Sequence, residues 1–120
     1  MIMIDIMIVQ GTTPTYEFEF EDENYKLVGA DMIKSLSITF FQKKTGIEIK
    51  KKYTRGASDN TCNFEGNSAI VHLTQEETFS FVAGQEVKIE MRVLLDNGEV
   101  LSSDTYRALV KEVLDKEVLK

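Results

Sequence analysis

The apolar residues of this chain recur at every second position. Val87, Ile89, Met91, Val93 and Leu95 form the longest such stripe, with Lys88, Glu90 and Arg92 between them. On a strand, side chains point alternately to opposite faces, so this stretch makes one apolar face and one wet face; on a helix the same residues would scatter around the axis. The pattern recurs upstream. Tyr16, Phe18 and Phe20 alternate with Glu17, Glu19 and Glu21, and Leu36, Ile38 and Phe40 alternate with Ser35, Ser37 and Thr39. Cys62 and Phe64 share a face, and Ala69, Val71 and Leu73 are expected inward with Ile70 and His72 outward. A chain written this way folds as layered β-structure.

The breaks between the runs carry turn chemistry. Gly11-Thr12-Thr13-Pro14 ends the N-terminal run, Lys43-Lys44-Thr45-Gly46 leads into a strand from Ile47 to Tyr53, and Glu65-Gly66-Asn67 and Ala83-Gly84 are further turns. Residues 22–31 and 54–60 read as loops. Asp96-Asn97-Gly98 supplies residues that tolerate positive φ, as tight hairpins require. A two-residue turn there would place Asp104 opposite Met91 on the buried face. A three-residue turn instead pairs Val93 with Leu101 and Met91 with Ser103. Burying an unpaired carboxylate costs several kcal/mol, which favours the longer turn.

One helical signal stands out. Thr74-Gln75-Glu76-Glu77 matches a capping box, in which the Thr74 hydroxyl and the Glu77 carboxylate each satisfy a backbone amide. A short helical crossover between two sheets is expected there, followed by Phe79 and Phe81 as bulky core anchors. The C-terminal segment is open to two readings: Leu109, Val110, Val113, Leu114 and Val118 approximate a helical stripe, while Tyr106, Ala108 and Val110 alternate as a strand. A strand to about Val110 followed by a tail or a short C-terminal helix is expected.

With 120 residues, no internal repeat and no linker, the whole chain, 1–120, is expected to form a single domain around one core. The resulting fold class is all-β: an immunoglobulin-like sandwich of about seven to eight antiparallel strands with one short helical crossover. Neither a tryptophan nor a cysteine pair is present, so the hallmarks of antibody domains are missing.

A net charge of −6 argues against a general nucleic-acid or anionic-membrane binder, because binding a polyanion draws on surplus Lys and Arg. The single cysteine excludes an internal disulfide and offers no second thiol for zinc, which fits a reducing compartment. The opening run Met1-Ile2-Met3-Ile4-Asp5-Ile6-Met7-Ile8-Val9 is apolar at nearly every position, yet it lacks a basic leader, carries an aspartate and is too short to span a bilayer. It reads as a strand, either covered on both faces or paired with another subunit. Without signals for export or membrane insertion, synthesis in the cytoplasm is expected.

Three residue groups could carry chemistry. Cys62 and the lone histidine, His72, could lie on paired strands around the Gly66 turn, but a nucleophile also needs a depressed pKa and an oxyanion hole, and the sequence signals neither. A buried thiol and a surface imidazole are the favoured reading. Glu17, Glu19, Glu21, Asp22 and Glu23 form the densest carboxylate group; they lack calcium-loop spacing and read as solvated strand-face charges. Lys50-Lys51-Lys52, with Lys43 and Lys44 across the hairpin and Tyr53 and Arg55 beside them, could meet an acidic partner or a phosphate backbone. Lysines guarding an edge strand account for them more simply. No catalytic residue, cofactor-binding residue or metal ligand is assigned, and no small-molecule ligand is expected.

The layout as a whole resembles that of small prophage-encoded proteins of Firmicutes, similar to the immunoglobulin-like N-terminal domain of phage baseplate upper proteins. The resemblance rests on Gly11-Thr12-Thr13-Pro14-Thr15 with the aromatic alternation after it, Leu73-Thr74-Gln75-Glu76-Glu77-Thr78-Phe79, Arg92-Val93 with the Asn97-Gly98 turn, and Val113-Leu114-Asp115-Lys116-Glu117-Val118. It implies a non-enzymatic virion component, tail or baseplate associated, that packs beside other phage structural proteins or copies of itself. Two features depart from the pattern: residues 50–56 are longer and more basic, and the sequence stops where a baseplate protein would continue. The alternative is a small recognition module that binds carbohydrate or a host surface protein through loops 22–31 or 54–60, with Tyr25 or Tyr53 as a stacking surface.

Overall fold

The computed structural model describes residues 6–22 and 24–120; the first five positions of the apolar run, and Glu23 of the acidic group, lie outside them. The elements in chain order are β1 (Ile6–Val9), β2 (Thr15–Glu19), a 3-10 turn (Ala30–Met32), β3 (Ile33–Gln42), β4 (Ile47–Thr54), β5 (Asn63–Glu65), β6 (Ser68–His72), α1 (Gln75–Ser80), β7 (Glu86–Leu95), β8 (Val100–Ser102) and β9 (Tyr106–Lys111). The larger sheet runs β1-β9-β7-β3-β4, with β8 also paired to β7; the smaller runs β2-β6-β5. The chain is therefore mostly β, with a mixed sheet and a smaller antiparallel sheet.

Alternation decides what lies between the sheets. All five residues of the β7 stripe are buried, as are Leu36, Ile38 and Phe40 of β3 and Ala69 and Val71 of β6 with the adjoining Leu73. They form one core with Phe18, Phe20 and Phe81. Aromatic rings bridge the layers: Phe18 on β2 meets Tyr106 on β9 with centroids 5.0 Å apart, and Tyr16 meets Phe40 at 6.5 Å. Strand β7 lies inside the larger sheet, between β3 and β9.

The hairpin after β7 takes the longer turn. Gly98 has φ 90° and its N–H donates to the Leu95 carbonyl at 3.0 Å, while the Leu95 N–H donates to the Glu99 carbonyl at 2.9 Å. Val93 pairs with Leu101, and Ser103 N–H donates to the Met91 carbonyl at 2.9 Å. Asp104 is left in solvent. The capping box is present as expected: the Thr74 hydroxyl accepts from Glu77 N–H at 3.1 Å and the Glu77 carboxylate accepts from Thr74 N–H at 2.9 Å. α1 carries the chain from the smaller sheet to the larger one.

Four expectations need correction. The described residues contain nine strands, because the return arm from β7 is split: the Ser103 hydroxyl accepts from Met91 N–H at 2.9 Å, and this side-chain bond interrupts the ladder between β8 and β9. The pairing is not wholly antiparallel. β1 runs parallel to β9, with Ile6 opposite Ala108 and Val9 opposite Lys111; no hairpin joins these two strands to impose the other sense. Of the two readings of the N-terminal strand, coverage on both faces does not hold among the described residues, since Ile8 is buried but Met7 is 48% exposed. Finally, Phe79 is only half-buried. Inside a helical turn the inward positions are three apart, so Thr78 and Phe81 face the core and Phe79 does not.

The C-terminal segment takes the tail alternative, and residues 112–120 form no helix. Leu114 is fully exposed among the described residues, and so short a helix is marginal without packing. The tail is instead tied to the crossover. Gln75 donates to the Leu119 carbonyl and accepts from its N–H, both at 2.9 Å, and Lys116 reaches Gln10 at 3.0 Å.

The buried polar side chains among the described residues are Gln10, Gln42 and Thr78, and all three fasten the same crossover. Gln42 donates to the Val82 carbonyl at 2.9 Å and accepts from Val82 N–H at 2.8 Å. Gln10 donates to the Phe81 carbonyl at 2.8 Å. The Thr78 hydroxyl donates to the Thr12 carbonyl at 3.0 Å and accepts from Gly11 N–H at 2.9 Å. A buried polar group without a partner costs free energy, so these paired side chains fix where the crossover sits rather than merely filling space.

Candidate functional site

The residues that could have formed a nucleophilic dyad are separated by the pleat. Asn63 pairs with Ile70 and Phe64 with Ala69, which turns Cys62 toward the core and His72 toward solvent. His72 Nδ1 shares a hydrogen bond of 2.6 Å with the Thr15 hydroxyl. Burial pushes the Cys62 thiol up to about 11 despite the nearby Lys51 ammonium, the opposite of what an activated nucleophile needs. The dyad is not assembled.

The basic group is divided as well. Lys51 points inward and meets Glu77 at 2.8 Å, while Lys50 and Lys52 point outward. Burial alone would raise the Glu77 carboxyl, but the hydrogen bonds from Lys51 and from Thr74 outweigh it and hold the group below the usual carboxylate range. Arg55 is engaged by Asp96 through two hydrogen bonds of 2.9 and 2.7 Å, which tie loop 54–60 to the β7–β8 turn. Its hydrogen bond holds the Asp96 carboxyl below its ordinary value. Tyr53 is half-buried opposite Leu36, with its ring toward the core side. What remains in solvent is a row made by Lys43, Lys44, Lys50 and Lys52 on and beside β4, the last strand of its sheet.

The acidic group lines a surface groove. Glu17, Glu19, Glu21 and Asp22 form one wall of a groove of about 650 Å³, and β8 with Asp104 forms the other. Among the described residues, no lysine or arginine lines it. Asp22 also accepts from Asn24 N–H at 2.8 Å and Lys26 N–H at 3.0 Å, closing a tight turn that holds Tyr25 at φ 61° and 85% exposed at the groove mouth. Among the described residues no group of three or more His, Cys, Asp or Glu side chains is placed to hold a metal ion. The carboxylates are spread along a strand face, too far apart to converge on one cation.

The groove exists because two strand edges open on the same side. β2 ends the smaller sheet, and β8 borders its partner sheet beyond β7. An open edge offers unpaired N–H and C=O groups, which can bind an extended segment through main-chain hydrogen bonds. Local sequence patterns flagged the carboxylates but not the groove, because its second wall is contributed by residues far along the chain. No helix among the described residues is long and apolar enough to cross a membrane. Compared with known proteins, the chain matches no family model and no curated protein sequence.

Proposed function

We propose that this chain is a non-enzymatic structural protein of a bacteriophage or prophage virion, associated with the tail or baseplate and acting through protein–protein contacts. The observation that carries the proposal is the pair of open strand edges flanking the groove: a surface of unpaired backbone and fixed charge, without aligned reacting groups. The whole-chain layout described above supplies the phage association.

The proposed architecture within the all-β class is immunoglobulin-like. Its support is strand order. If β2 to β7 are taken as B, C, C′, D, E and F, and β8 with β9 as G, the smaller sheet reads B-E-D and the larger reads G-F-C-C′, with the first strand beside G. The helical crossover then falls between E and F.

Deleting the gene from an inducible lysogen tests the function. Particles that lack tails or fail to infect, restored by supplying the gene in trans, are expected; normal infective yields would count against a structural role. One observation favours a second reading, a recognition module for carbohydrate or a host surface protein. Tyr25 is held exposed in a backbone conformation costly for a non-glycine residue, beside carboxylates that could bind sugar hydroxyls. Binding on a glycan array that Tyr25→Ala abolishes would support this second reading, and an empty array would remove its sugar form.

A further inference from the structure

The two sides of the molecule carry opposite charge on otherwise similar edges. On β2, Glu17 and Glu19 face solvent while half-buried Tyr16 and buried Phe18 face the core. On β4, Lys50 and Lys52 face solvent while half-buried Ile47 and Ile49 face the core, and Lys43 and Lys44 extend the charge through the preceding turn. Each strand ends its sheet. Loop 60–62 occupies the outer side of β4 near its end: Thr61 N–H donates to the Lys52 carbonyl at 2.9 Å, and Lys52 N–H donates to the Thr61 hydroxyl at 2.7 Å. Among the described residues, no strand lies outside the first part of β4.

Lysines on an edge repel a second lysine edge, and carboxylates repel a second carboxylate edge. Neither rejects the other. Like-charge repulsion therefore disfavours β4-on-β4 and β2-on-β2 pairing relative to the mixed pairing, in which lysines meet carboxylates. If the outward faces are continuous across the join, which is confined to the part of β4 before Lys52, Glu17 or Glu19 stands beside Lys50, with Lys43, Lys44 and the Lys52 side chain flanking the contact, and half-exposed Tyr16, Ile47 and Ile49 are covered on the other side. The β3 partners of Lys50 and Lys52 are Thr39 and Ser37, so no neighbouring carboxylate there competes for them. Within β4 itself, Lys50 makes only a long, exposed contact of 3.7 Å with Glu48.

We infer that the β4 edge of one copy seats on the β2 edge of a second copy, joining copies head to tail through main-chain pairing between a lysine-bearing and a carboxylate-bearing strand. The inference rests on the assembly role proposed above and names its partner and surfaces. Because the two surfaces differ, the contact is heterologous: it propagates into a filament or closes into a ring, whereas a two-fold dimer would use the same patch twice.

The test is sedimentation velocity on the full chain over a range of concentrations at two ionic strengths. Association is expected at about 0.01 M salt, where charges act over roughly 30 Å, and dispersal at about 1 M, where they act over roughly 3 Å. The double variants Glu17→Lys/Glu19→Lys and Lys50→Glu/Lys52→Glu, confirmed as folded by circular dichroism, should each associate at least about tenfold more weakly alone, and an equimolar mixture should associate again. Should either variant fail to fold, hydrogen exchange on the unaltered chain decides the matter: amides of β2 and β4 should gain protection with concentration at low salt. A wild type that stays monomeric, association indifferent to salt, or a mixture of folded variants that stays apart would each overturn the inference. Salt-sensitive association in a protein missing from virions would sink the phage assignment alone. A monomer found in virions would sink the edge pairing alone.

Discussion

Replacing Gln42 by methionine tests whether the crossover is held by directional bonds or by packing. Gln42 is 0% exposed and its amide mimics a strand partner, bonding both the N–H and the carbonyl of Val82 while accepting from the Thr45 hydroxyl at 3.0 Å. Methionine has a similar length and fills the space, so the cavity term stays small. What is lost is the satisfaction of two backbone groups. Each such loss costs about 1–3 kcal/mol when the orphan is buried, and because the Val82 side chain is half in solvent, the lower part of that range applies, about 2–3 kcal/mol in total. For a chain of 120 residues the unfolding entropy makes 1 kcal/mol worth about 4 °C, so the melting temperature should fall by about 8–12 °C. Thermal and urea denaturation followed by circular dichroism measure this, with an unchanged urea slope expected. A loss under about 2 °C would show that packing holds the crossover, not the Gln42 amide.

Three further outcomes follow from particular contacts. Gly11 sits at φ 76° with the Phe79 ring over it, and a Cβ there would lie 2.6 Å from the ring, so Gly11→Ala should cost about 1–2 kcal/mol for the backbone alone and more for the ring; pairing it with Phe79→Leu in a double-mutant cycle should recover only the second part. Glu77 has a folded pKa below its unfolded value, so its stabilisation is fully present above about pH 4.3 and is lost as the pH falls through the depressed folded value; Glu77→Gln should flatten the stability–pH curve in that acid window, and an unchanged slope would contradict the Lys51 pairing. Cys62 is 8% exposed with its thiol pushed up to about 11, so iodoacetamide at about pH 8 should label it slowly in the folded chain and rapidly in denaturant, and equal rates would place it at the surface.

Period-two patterning located β2, β3, β6 and β7 because their inward residues are apolar, apart from Gln42 at the end of β3. The Asn97-Gly98 register was also legible, since only one choice kept Asp104 out of the core. Gln42 was not, because its amide occupies an inward position that alternation reserves for an apolar side chain; only the Val82 backbone, 40 residues away, explains it. Phe79 misled for a different reason: six residues of helix replace alternation with a three-residue spacing, and Thr78 takes the buried place. The parallel β1–β9 pair leaves no local mark because no hairpin encodes it. At the candidate site, the carboxylates and lysines were each visible as charge runs. Their division by the pleat, with Lys51 turned in and Lys50 and Lys52 turned out, follows from the same alternation. That β8 forms the second wall of the groove follows only from the closed fold.

The assembly role is tested most directly by quantitative mass spectrometry of purified particles from an induced lysogen that encodes this chain. The chain should be present in every preparation at a fixed, multi-copy ratio to the tail proteins and persist through density-gradient purification. Its absence from particles whose other tail proteins are detected would contradict a structural role in the virion.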